Sequence, residues 1–517
     1  MDWEEIARAR RRLSREQGTI VKDWGGKLPI ALIYPNSYYI GMSNLGIHAI
    51  HRFLNGYDHV LAERVFWEKE NILRLSPPLA LESRRPLTDF TVLAFSVNYE
   101  LDYFHIPQIL QASGIPLYSG DRDETHPLII AGGPCITANP LPLAPFFDCL
   151  CIGEAEAVLP ALLPVLAEGV SGHRSELLKS LSGLPGIYIP AYNSAGPVVR
   201  QWAGKLDDFP VHSEIITPDT ELGGLYLIEV ARGCPWHCRF CLVSNCFYPF
   251  RCHSLESLLE QAKEGLKYRR RLGLMGAAVT DHPQIAELLN NLLRMGAEIS
   301  VSSLRITSLS GKIMSALAKG MVKSITIAPE AGSERLRRVI NKGVQEEDIL
   351  KVAVMAAEQG IKHIKLYFMM GLPTETDEDI AAITGLTLKC KYVLDQRQRG
   401  GRITVNIAPF VPKAGTPFQW LAMAELPILN HRLSLLKNSL QPAGIKIKSE
   451  SPAWSEVQAV LARGDAALAP VLASTAQVSI SGWQKAVEKH RLDVAYYAHN
   501  ERDTAEKLPW SFINLEN

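Results

Sequence analysis

The sequence predicts an α/β protein in which a doubly wound, Rossmann-like parallel sheet precedes an open, partial (β/α)6 barrel and a mainly helical C-terminal region. Short, continuous apolar runs, which are typical of parallel strands buried on both faces, alternate with amphipathic helical segments in two separate series. A segment rich in Pro, Gly and Asp separates the two series. At 517 residues the chain is also too long for one hydrophobic core, so several domains are expected.

The first series predicts a domain over residues 28–170, which follows an N-terminal helix over residues 1–27. Its apolar runs are PIALIYP, TVLAFSVN, PLIIAGGP and FDCLCIG. The glycine-rich turn from Ala131 to Pro134 is of the kind that lets a ligand approach the backbone of such a sheet, or that packs tightly. Residues 171–222 are predicted to be a connector with a small hairpin.

The second series predicts a barrel domain over residues 223–425. Its strands are LYLIEV, GAAVT, ISVSS, SITIAPE, HIKLYFMMG and ITVNIAPF. An amphipathic helix from Ser254, its N-cap, to Arg271 separates the first two strands. Six strand–helix units are too few for a closed eightfold barrel and fit an open one, with the functional site at the carboxyl ends of the strands. Residues 426–517 are predicted to be mainly helical.

Charge and hydropathy narrow the class of protein. Lys and Arg together number 54, as do Asp and Glu, so the balance predicts no broad surface for nucleic acid or anionic membranes and leaves room only for a local basic patch. The sequence has no span-length apolar run and no secretory signal at its start, which predicts a cytoplasmic protein without a membrane span. In a reducing cytoplasm, the nine cysteines are not expected to form disulfides.

Three of the cysteines fall in one short loop. Cys234, Cys238 and Cys241 lie in RGCPWHCRFC, directly after the first predicted barrel strand. Three thiolates at this C-x-x-x-C-x-x-C spacing can bind three irons of a four-iron cluster, which leaves the fourth iron without a cysteine. An open coordination position is what a reactive metal centre needs.

A structural zinc site is the alternative interpretation of the same cysteines. Zinc takes four nitrogen or sulfur ligands in such a site. The residues that could complete the set are His237, Cys246, Cys252 and His253. The chain would then be a zinc-stabilised binding or scaffold protein without catalysis.

The cysteine loop resembles the cluster-binding loop of radical S-adenosylmethionine (SAM) enzymes, including the aromatic residue Phe240 just before the last cysteine. The segments APEAGSERLRRVINKG and YFMMGLPTETDED are similar to the fourth- and fifth-strand segments of those enzymes. The resemblance implies a [4Fe-4S] cluster and SAM as cofactors. It also implies reductive cleavage of SAM to a 5′-deoxyadenosyl radical that modifies a substrate, and a reducing partner such as flavodoxin or ferredoxin.

The resemblance further implies roles for individual residues. Phe240 and Glu330 would assist SAM, and the turn from Gly371 to Pro373 would let the backbone approach its adenine. Arg305 could pair with the SAM carboxylate. A helix cap for Glu330 and a surface salt bridge for Arg305 are the alternatives. The family's Gly-Gly-Glu-like second-strand segment is replaced by GAAVTDH, in which Asp281 is a candidate contact or an N-cap.

Residues 28–170 resemble the cobalamin-binding-like domain that precedes the barrel in one large branch of this family. The segments that carry the resemblance are YPNSYYIGMSNLGIHAIHRFLN, IAGGPCITANP and CIGEAEAVLPALL. They imply cobalamin as a possible cofactor and methylation as a possible reaction. The D-x-H-x-x-G sequence that supplies a histidine ligand to cobalt in this branch is absent. His48 and His51 lie on a predicted helix and are not part of such a sequence.

A different reaction, methylthiolation, is suggested by Cys135, Cys149 and Cys151. Methylthiotransferases hold a second cluster with three cysteines of an N-terminal domain. Cys149 and Cys151 would share one face of a strand, and burial in the core is the alternative for all three thiols. The whole chain looks like an uncharacterised group of bacterial radical enzymes. The sequence assigns no catalytic side chain, and the substrate could be a small molecule, a lipid, a peptide or RNA.

Overall fold

The computed structural model describes residues 3–192, 196–302, 304–397 and 400–515. Residues 1–2 of the predicted N-terminal helix and residues 193–195 of the predicted connector lie outside the described residues, as do residues 303, 398–399 and 516–517. Within the described ranges, no helix is both long enough and apolar enough to cross a bilayer.

The N-terminal part of the chain folds into a six-stranded sheet. Its strands are β1 (Leu28–Tyr34), β2 (Val60–Phe66), β3 (Val92–Ser96), β4 (Leu128–Gly132), β5 (Cys149–Cys151) and β6 (Ile187–Tyr188). Its helices are α1 (Trp3–Leu13), α2 (Tyr38–Gly41), α3 (Leu45–Asn55), α4 (Lys69–Arg74), α5 (His105–Ala112), α6 (Pro134–Ala138), α7 (Ala155–Gly169) and α8 (Arg174–Ser182). The strand order is β2-β1-β3-β4-β5-β6, with only β6 antiparallel to its neighbour. This doubly wound order reverses between β1 and β3, where such sheets bind ligands.

Strand β2 is the one parallel strand of this sheet that the apolar runs did not predict. Glu63 and Arg64 interrupt its sequence, although the structure buries every residue of the strand. The Arg64 guanidinium pairs with Glu16 and with Glu82, each at 2.7 Å. Because both charges of each pair are removed from water together, the strand can carry charged side chains into the core.

The barrel and C-terminal region contain the remaining elements. The strands are β7 (Val198–Val199), β8 (Tyr226–Glu229), β9 (Ala231–Arg232), β10 (Arg251–Cys252), β11 (Arg271–Met275), β12 (Glu298–Val301), β13 (Ser324–Glu330), β14 (His363–Met370), β15 (Arg402–Pro409), β16 (Lys446–Ser449) and β17 (Ile513–Asn514). The helices are α9 (Val243–Cys246), α10 (Leu255–Gly265), α11 (Ile285–Arg294), α12 (Gly311–Lys319), α13 (Glu334–Val339), α14 (Glu346–Glu358), α15 (Asp377–Arg397), α16 (Leu426–Leu440), α17 (Pro452–Ala462), α18 (Leu468–Ser474), α19 (Ile480–His490) and α20 (Val494–Ala498).

The barrel wall consists of two parallel sheets, β12-β11-β8 and β13-β14-β15-β16. The prediction of an open parallel barrel is therefore correct, but its second strand was misplaced. That strand is Arg271–Met275 and not GAAVT, because α10 ends at Gly265 and the chain is already extended at Arg271. Strand β16, inside the segment predicted to be helical, adds a seventh parallel strand to the predicted six.

Asp102, in the loop after β3, provides a test of the N-terminal core. The side chain is buried, its Oδ1 accepts a hydrogen bond from Asn36 Nδ2 at 2.8 Å, and burial raises the pKa of Asp102 to about 7. The folded state therefore keeps a proton that the unfolded state releases near pH 4. This contribution to stability is complete below about pH 4 and is lost as the pH rises to about 7.

We expect Asp102→Asn to stabilise the protein at pH 8, by up to about 4 kcal/mol, and to have little effect at pH 4. Thermal unfolding of the wild type and the variant at several pH values measures this difference. Asp89→Asn, at an exposed pair with Arg85, is the matched control and should change neither value. Equal pH dependence in the wild type and in Asp102→Asn would contradict the prediction.

Candidate active site

The cysteine loop follows β9 at the carboxyl end of the first barrel strand. Gly233 begins it with a φ of 79°, and a Cβ at this position would lie 2.2 Å from the carbonyl oxygen of Phe247. Only glycine fits both constraints. The loop then carries Cys234, Cys238 and Cys241, of which Cys238 is buried and the other two are half-buried.

The three thiols lie close enough to influence one another. Burial raises the pKa of Cys234 and of Cys238, the neighbouring thiols raise both further, and Arg305 acts in the opposite direction on both. Each cysteine of a four-iron cluster binds a different iron, whereas zinc needs all its ligands at one point. In the part of the chain that the structure describes, no three His, Cys, Asp or Glu side chains are gathered to hold a single ion. Three cysteine thiols on one loop are a donor set that suits a four-iron cluster.

Glu330 stands at the end of β13 with a φ of 67°. Its Oε1 accepts a hydrogen bond from Lys342 Nζ at 3.1 Å, and this ammonium group lies 6.0 Å from the centre of the Phe240 ring. The alternative role of Glu330 as a helix cap is wrong, because the Ser333 hydroxyl accepts the Leu336 N–H and caps α13. Lys342 also opposes the rise in the pKa of Cys238 that burial causes, and it was not singled out from the sequence.

Arg305, Trp236 and Asp281 form a second group beside the loop. The Arg305 guanidinium lies 3.5 Å from the centre of the Trp236 ring, and its Nη2 donates to the Lys342 carbonyl at 3.1 Å. Asp281 Oδ1 accepts hydrogen bonds from Trp236 Nε1 at 3.0 Å and from the Ser308 hydroxyl at 2.6 Å. Asp281 is not an N-cap, since α11 starts after Gln284. Its Oδ2 is buried without a partner among the described residues, which leaves an acceptor for a bound ammonium group.

The turn after β14 is held by the C-terminal region. Gly371 has a φ of 77°, and a Cβ there would lie 2.6 Å from Leu429 of α16. Glu375 Oε2 accepts hydrogen bonds from the Gly371 N–H at 2.6 Å and from Arg432 Nη1 of α16 at 2.8 Å. The glycine is therefore required by packing and by backbone conformation, and a buried ion pair fixes the turn. Sequence reasoning did not identify Glu375 or Arg432.

A buried ion-pair group joins the N-terminal sheet to the cysteine loop. Glu154, just after β5, accepts hydrogen bonds from Arg251 Nη2 at 2.6 Å and from Arg232 Nη1 at 2.9 Å. Arg232 also pairs with Glu156 and Glu229 at 3.0 and 2.9 Å. We call Glu154 and its two arginine partners, Arg232 and Arg251, the Glu154 clamp. Because Arg232 lies two residues before Cys234, this clamp sets the position of the cysteine loop relative to the edge of the sheet.

A cleft of about 370 Å³ lies at the same edge. Its lining includes the turn from Ala131 to Pro134, and it extends to Arg232 and Phe247 of the barrel. The turn also packs tightly, because a Cβ on Gly133 would lie 2.4 Å from the carbonyl oxygen of Val97. His48 and His51 are buried on α3 and are not among the described residues that line the cleft.

The three cysteines of the N-terminal domain, Cys135, Cys149 and Cys151, do not form one cluster. Cys149 and Cys151 share one face of β5, as predicted, and pack in the core on that side of the sheet. Cys135 belongs to the core on the opposite side. Burial raises the pKa of Cys135, as expected for a packed thiol. The structure therefore does not bring these three thiols together.

Two family models match the chain: "Radical SAM proteins, N-terminal" over residues 46–190, and "Radical SAM superfamily" over residues 228–386. An uncharacterised protein of Methanocaldococcus jannaschii is 32% identical over 450 residues, which cover 86% of this chain and 90% of that protein. The chain belongs to the radical SAM superfamily. Radical SAM enzymes use a [4Fe-4S] cluster and SAM, which agrees with the donor set of the cysteine loop.

Two further proteins are similar to this chain. An uncharacterised methyltransferase of Pyrococcus horikoshii is 24% identical over 322 residues, which cover 59% of this chain and 64% of that protein. The structure of the cobalamin-dependent SAM radical enzyme OxsB, with aqua-cobalamin and SAM bound, has a TM-score of 0.52 at 14% identity and covers 91% of this chain and 72% of OxsB. At that identity the likeness shows the fold, and it confirms the predicted fold class.

Proposed function

We propose that this radical SAM enzyme binds cobalamin in the cleft between its two domains and transfers a methyl group to its substrate. The cleft carries the proposal, because it lies at the ligand-binding edge of a doubly wound sheet and reaches Arg232, two residues before Cys234 of the barrel. The names of the Pyrococcus relative and of OxsB support it. A reducing partner such as flavodoxin or ferredoxin would supply the electron for the cluster.

The lining of the cleft suits one end of a large, flat ligand. Its inner part is apolar, with Leu32, Ala94 and Ile130 from the sheet. Its lining also includes the polar side chains of Asn44 and Asn98, which can hydrogen-bond to amide groups. Among the described residues no histidine lines the cleft, so cobalt would be held without a protein histidine. Bound cobalamin would supply the methyl-transfer chemistry.

Side chains around the cleft and the cysteine loop would position cobalamin and SAM. The Glu154 clamp holds the cleft beside the cysteine loop. The free Oδ2 of Asp281 can accept a hydrogen bond from the SAM ammonium, and Glu330 with Lys342 fixes the neighbouring wall. Arg305 stacks on Trp236 and keeps a guanidinium close to the cluster ligands, where it can attract the SAM carboxylate.

The proposal is tested by measuring cobalamin binding after a larger side chain has been placed in the cleft. Ala94→Phe places a ring in the apolar part, and Ala157→Phe adds the same ring on α7 outside the cleft lining. Both proteins are reconstituted anaerobically with iron, sulfide and hydroxocobalamin. We expect roughly tenfold less bound corrinoid in Ala94→Phe, about 1.4 kcal/mol, with unchanged iron content, and no loss in Ala157→Phe.

The products give the second readout. The wild type, incubated with SAM and reductant, should form both 5′-deoxyadenosine and S-adenosylhomocysteine, and Ala94→Phe should lose the latter. A wild-type protein that retains no corrinoid, or an Ala94→Phe protein that retains as much as the wild type, would contradict the proposal. The radical SAM assignment would be unaffected by either outcome.

A further inference from the structure

The inner face of the second barrel sheet carries five basic side chains. In β14, β15 and β16 the apolar residues are buried towards the helices, and the alternate residues point into the open barrel. We call these alternate cationic residues the basic wall: His363, Lys365, Arg402, Lys446 and Lys448. The strand register aligns Lys365 with Thr404, and Thr404 with Lys446, so the cations span three adjacent strands.

Among the described residues, no carboxylate forms an ion pair with the lysines or the arginine of the basic wall. In the part of the chain that the structure describes, Lys365, Arg402, Lys446 and Lys448 have no Asp or Glu oxygen within 4.0 Å. Burial lowers the pKa of His363, and the four cations lower it further. The wall is therefore a region of positive potential on a chain whose net charge is zero.

The basic wall adjoins a cavity of about 1000 Å³ that is lined mainly by β12, β13 and the segment between them. Lys365 and Tyr367 line this cavity together with the hydroxyl groups of Ser300 and Thr326. Tyr367 is 43% exposed, and the neighbouring Asn406 has a buried Nδ2 without an acceptor among the described residues. Glu221 and Glu298 also line the cavity, and Glu298 lies 3.6 Å from Arg270.

The cavity and the proposed SAM site share strand β13. Thr326, which lines the cavity, and Glu330 are four residues apart on this strand, about 13 Å along it, and the register with β14 shifts between Ile327 and Glu330. A substrate held on the basic wall can thus extend along the barrel to the residues around the cluster loop.

Protection of a sheet edge explains only part of the wall. Lysines on an edge strand hinder pairing with other chains, and β16 is an edge strand that carries Lys446 and Lys448. Lys365, in contrast, lies on β14 in the middle of its sheet, beside the exposed ring of Tyr367. Cations combined with an exposed aromatic ring form the typical surface for single-stranded nucleic acid, where phosphates meet the cations and a base stacks on the ring.

We propose that the substrate is a single-stranded nucleic acid whose phosphates lie on the basic wall and one of whose bases enters the cavity against Tyr367. The proposal rests on the proposed function for the reaction, and it names the class of substrate. RNA and DNA share the phosphate and base chemistry that the wall recognises, and the test compares them.

The test is fluorescence anisotropy with labelled 12-nucleotide RNA and DNA strands of one sequence and the reconstituted full-length protein, without reductant. Each lost phosphate contact lowers the log–log salt slope by about 0.7. Lys446→Gln/Lys448→Gln should therefore weaken binding roughly 25-fold at 0.1 M salt and reduce the slope by about 1.4. The control Lys485→Gln/Lys489→Gln removes the same charge from the exposed face of α19 and should bind like the wild type.

Tyr367 supplies an independent measurement. Tyr367→Ala should weaken binding roughly 5- to 150-fold through the lost stacking, whereas Tyr367→Phe should retain affinity. Whichever of the RNA and DNA strands binds more strongly is identified as the class of nucleic acid that the basic wall recognises. The proposal is overturned if neither strand binds, if adenosine monophosphate competes as well as the strand does, or if the α19 control loses as much affinity as the β16 variant. Since binding needs no SAM cleavage, these outcomes are separable from failure of the proposed function.

Discussion

Replacing Cys238 by alanine is expected to give a protein that holds no intact four-iron cluster and forms no detectable 5′-deoxyadenosine. Cys238 is the most buried of the three loop thiols. Without it, two cysteines remain for a cluster that needs three, and a second iron is left without a thiolate. Iron and sulfide counts after anaerobic reconstitution, visible absorption, and mass spectrometry of the products of SAM with reductant measure the loss.

Cys390→Ala is the matched control for this prediction. Cys390 is a free, fully buried cysteine on α15, outside the cysteine loop, so the variant loses a buried thiol without losing a ligand. It should retain the iron content and the 5′-deoxyadenosine of the wild type. If Cys238→Ala kept a full cluster, or if both variants lost it equally, the assignment of the loop as the cluster ligand set would be wrong.

The residues that form a local pattern were predictable from the sequence. The cysteine spacing depends on eight consecutive residues, and the apolar runs of β1, β3, β4 and β5 reflect burial on both faces of a parallel sheet. Both signals survive without knowledge of the tertiary structure. The position of the loop after the first barrel strand followed in the same way from the order of the elements.

The elements that were missed depend on contacts between distant segments. Strand β2 carries charges that are acceptable only because Glu16 and Glu82 reach Arg64. Strand β16 carries two exposed lysines, and its hydrogen bonds to β15 are what make it a strand. The hydrophobic pattern of the sequence therefore predicts neither β2 nor β16.

The same limit applies to the site. Lys342 lies 12 residues from Glu330, and Arg432 lies 57 residues from Glu375. Each pair is an ordinary combination of opposite charges until the fold brings its members together. Sequence reasoning therefore identified the radical SAM chemistry and missed Lys342, Glu375 and Arg432, because their pairings are a property of tertiary contacts.

Glu154→Leu is expected to destabilise the protein by about 3–5 kcal/mol, since it leaves Arg251 buried without a carboxylate. Burial opposes ionisation of Glu154, but the hydrogen bonds and charges of Arg251 and Arg232 hold the pKa of Glu154 below its usual value. The contribution of the pair is therefore present above about pH 4.5 and is lost as the pH falls through the folded-state pKa. Urea unfolding at pH 7 and at pH 4 measures both the loss and its pH dependence.

Two control variants distinguish the stability contribution of the Glu154 clamp from that of an exposed ion pair. Glu358→Gln removes a carboxylate from an exposed pair with Arg397 and should cost less than about 1 kcal/mol. Glu154→Leu/Arg251→Met removes both buried charges and should recover most of the stability, because no unpaired ion remains. Recovery of stability without recovery of S-adenosylhomocysteine formation would show that the clamp also sets the distance between the cleft and the cysteine loop. If Glu154→Leu alone costs no more than Glu358→Gln, the two domains are held together by contacts other than this ion pair.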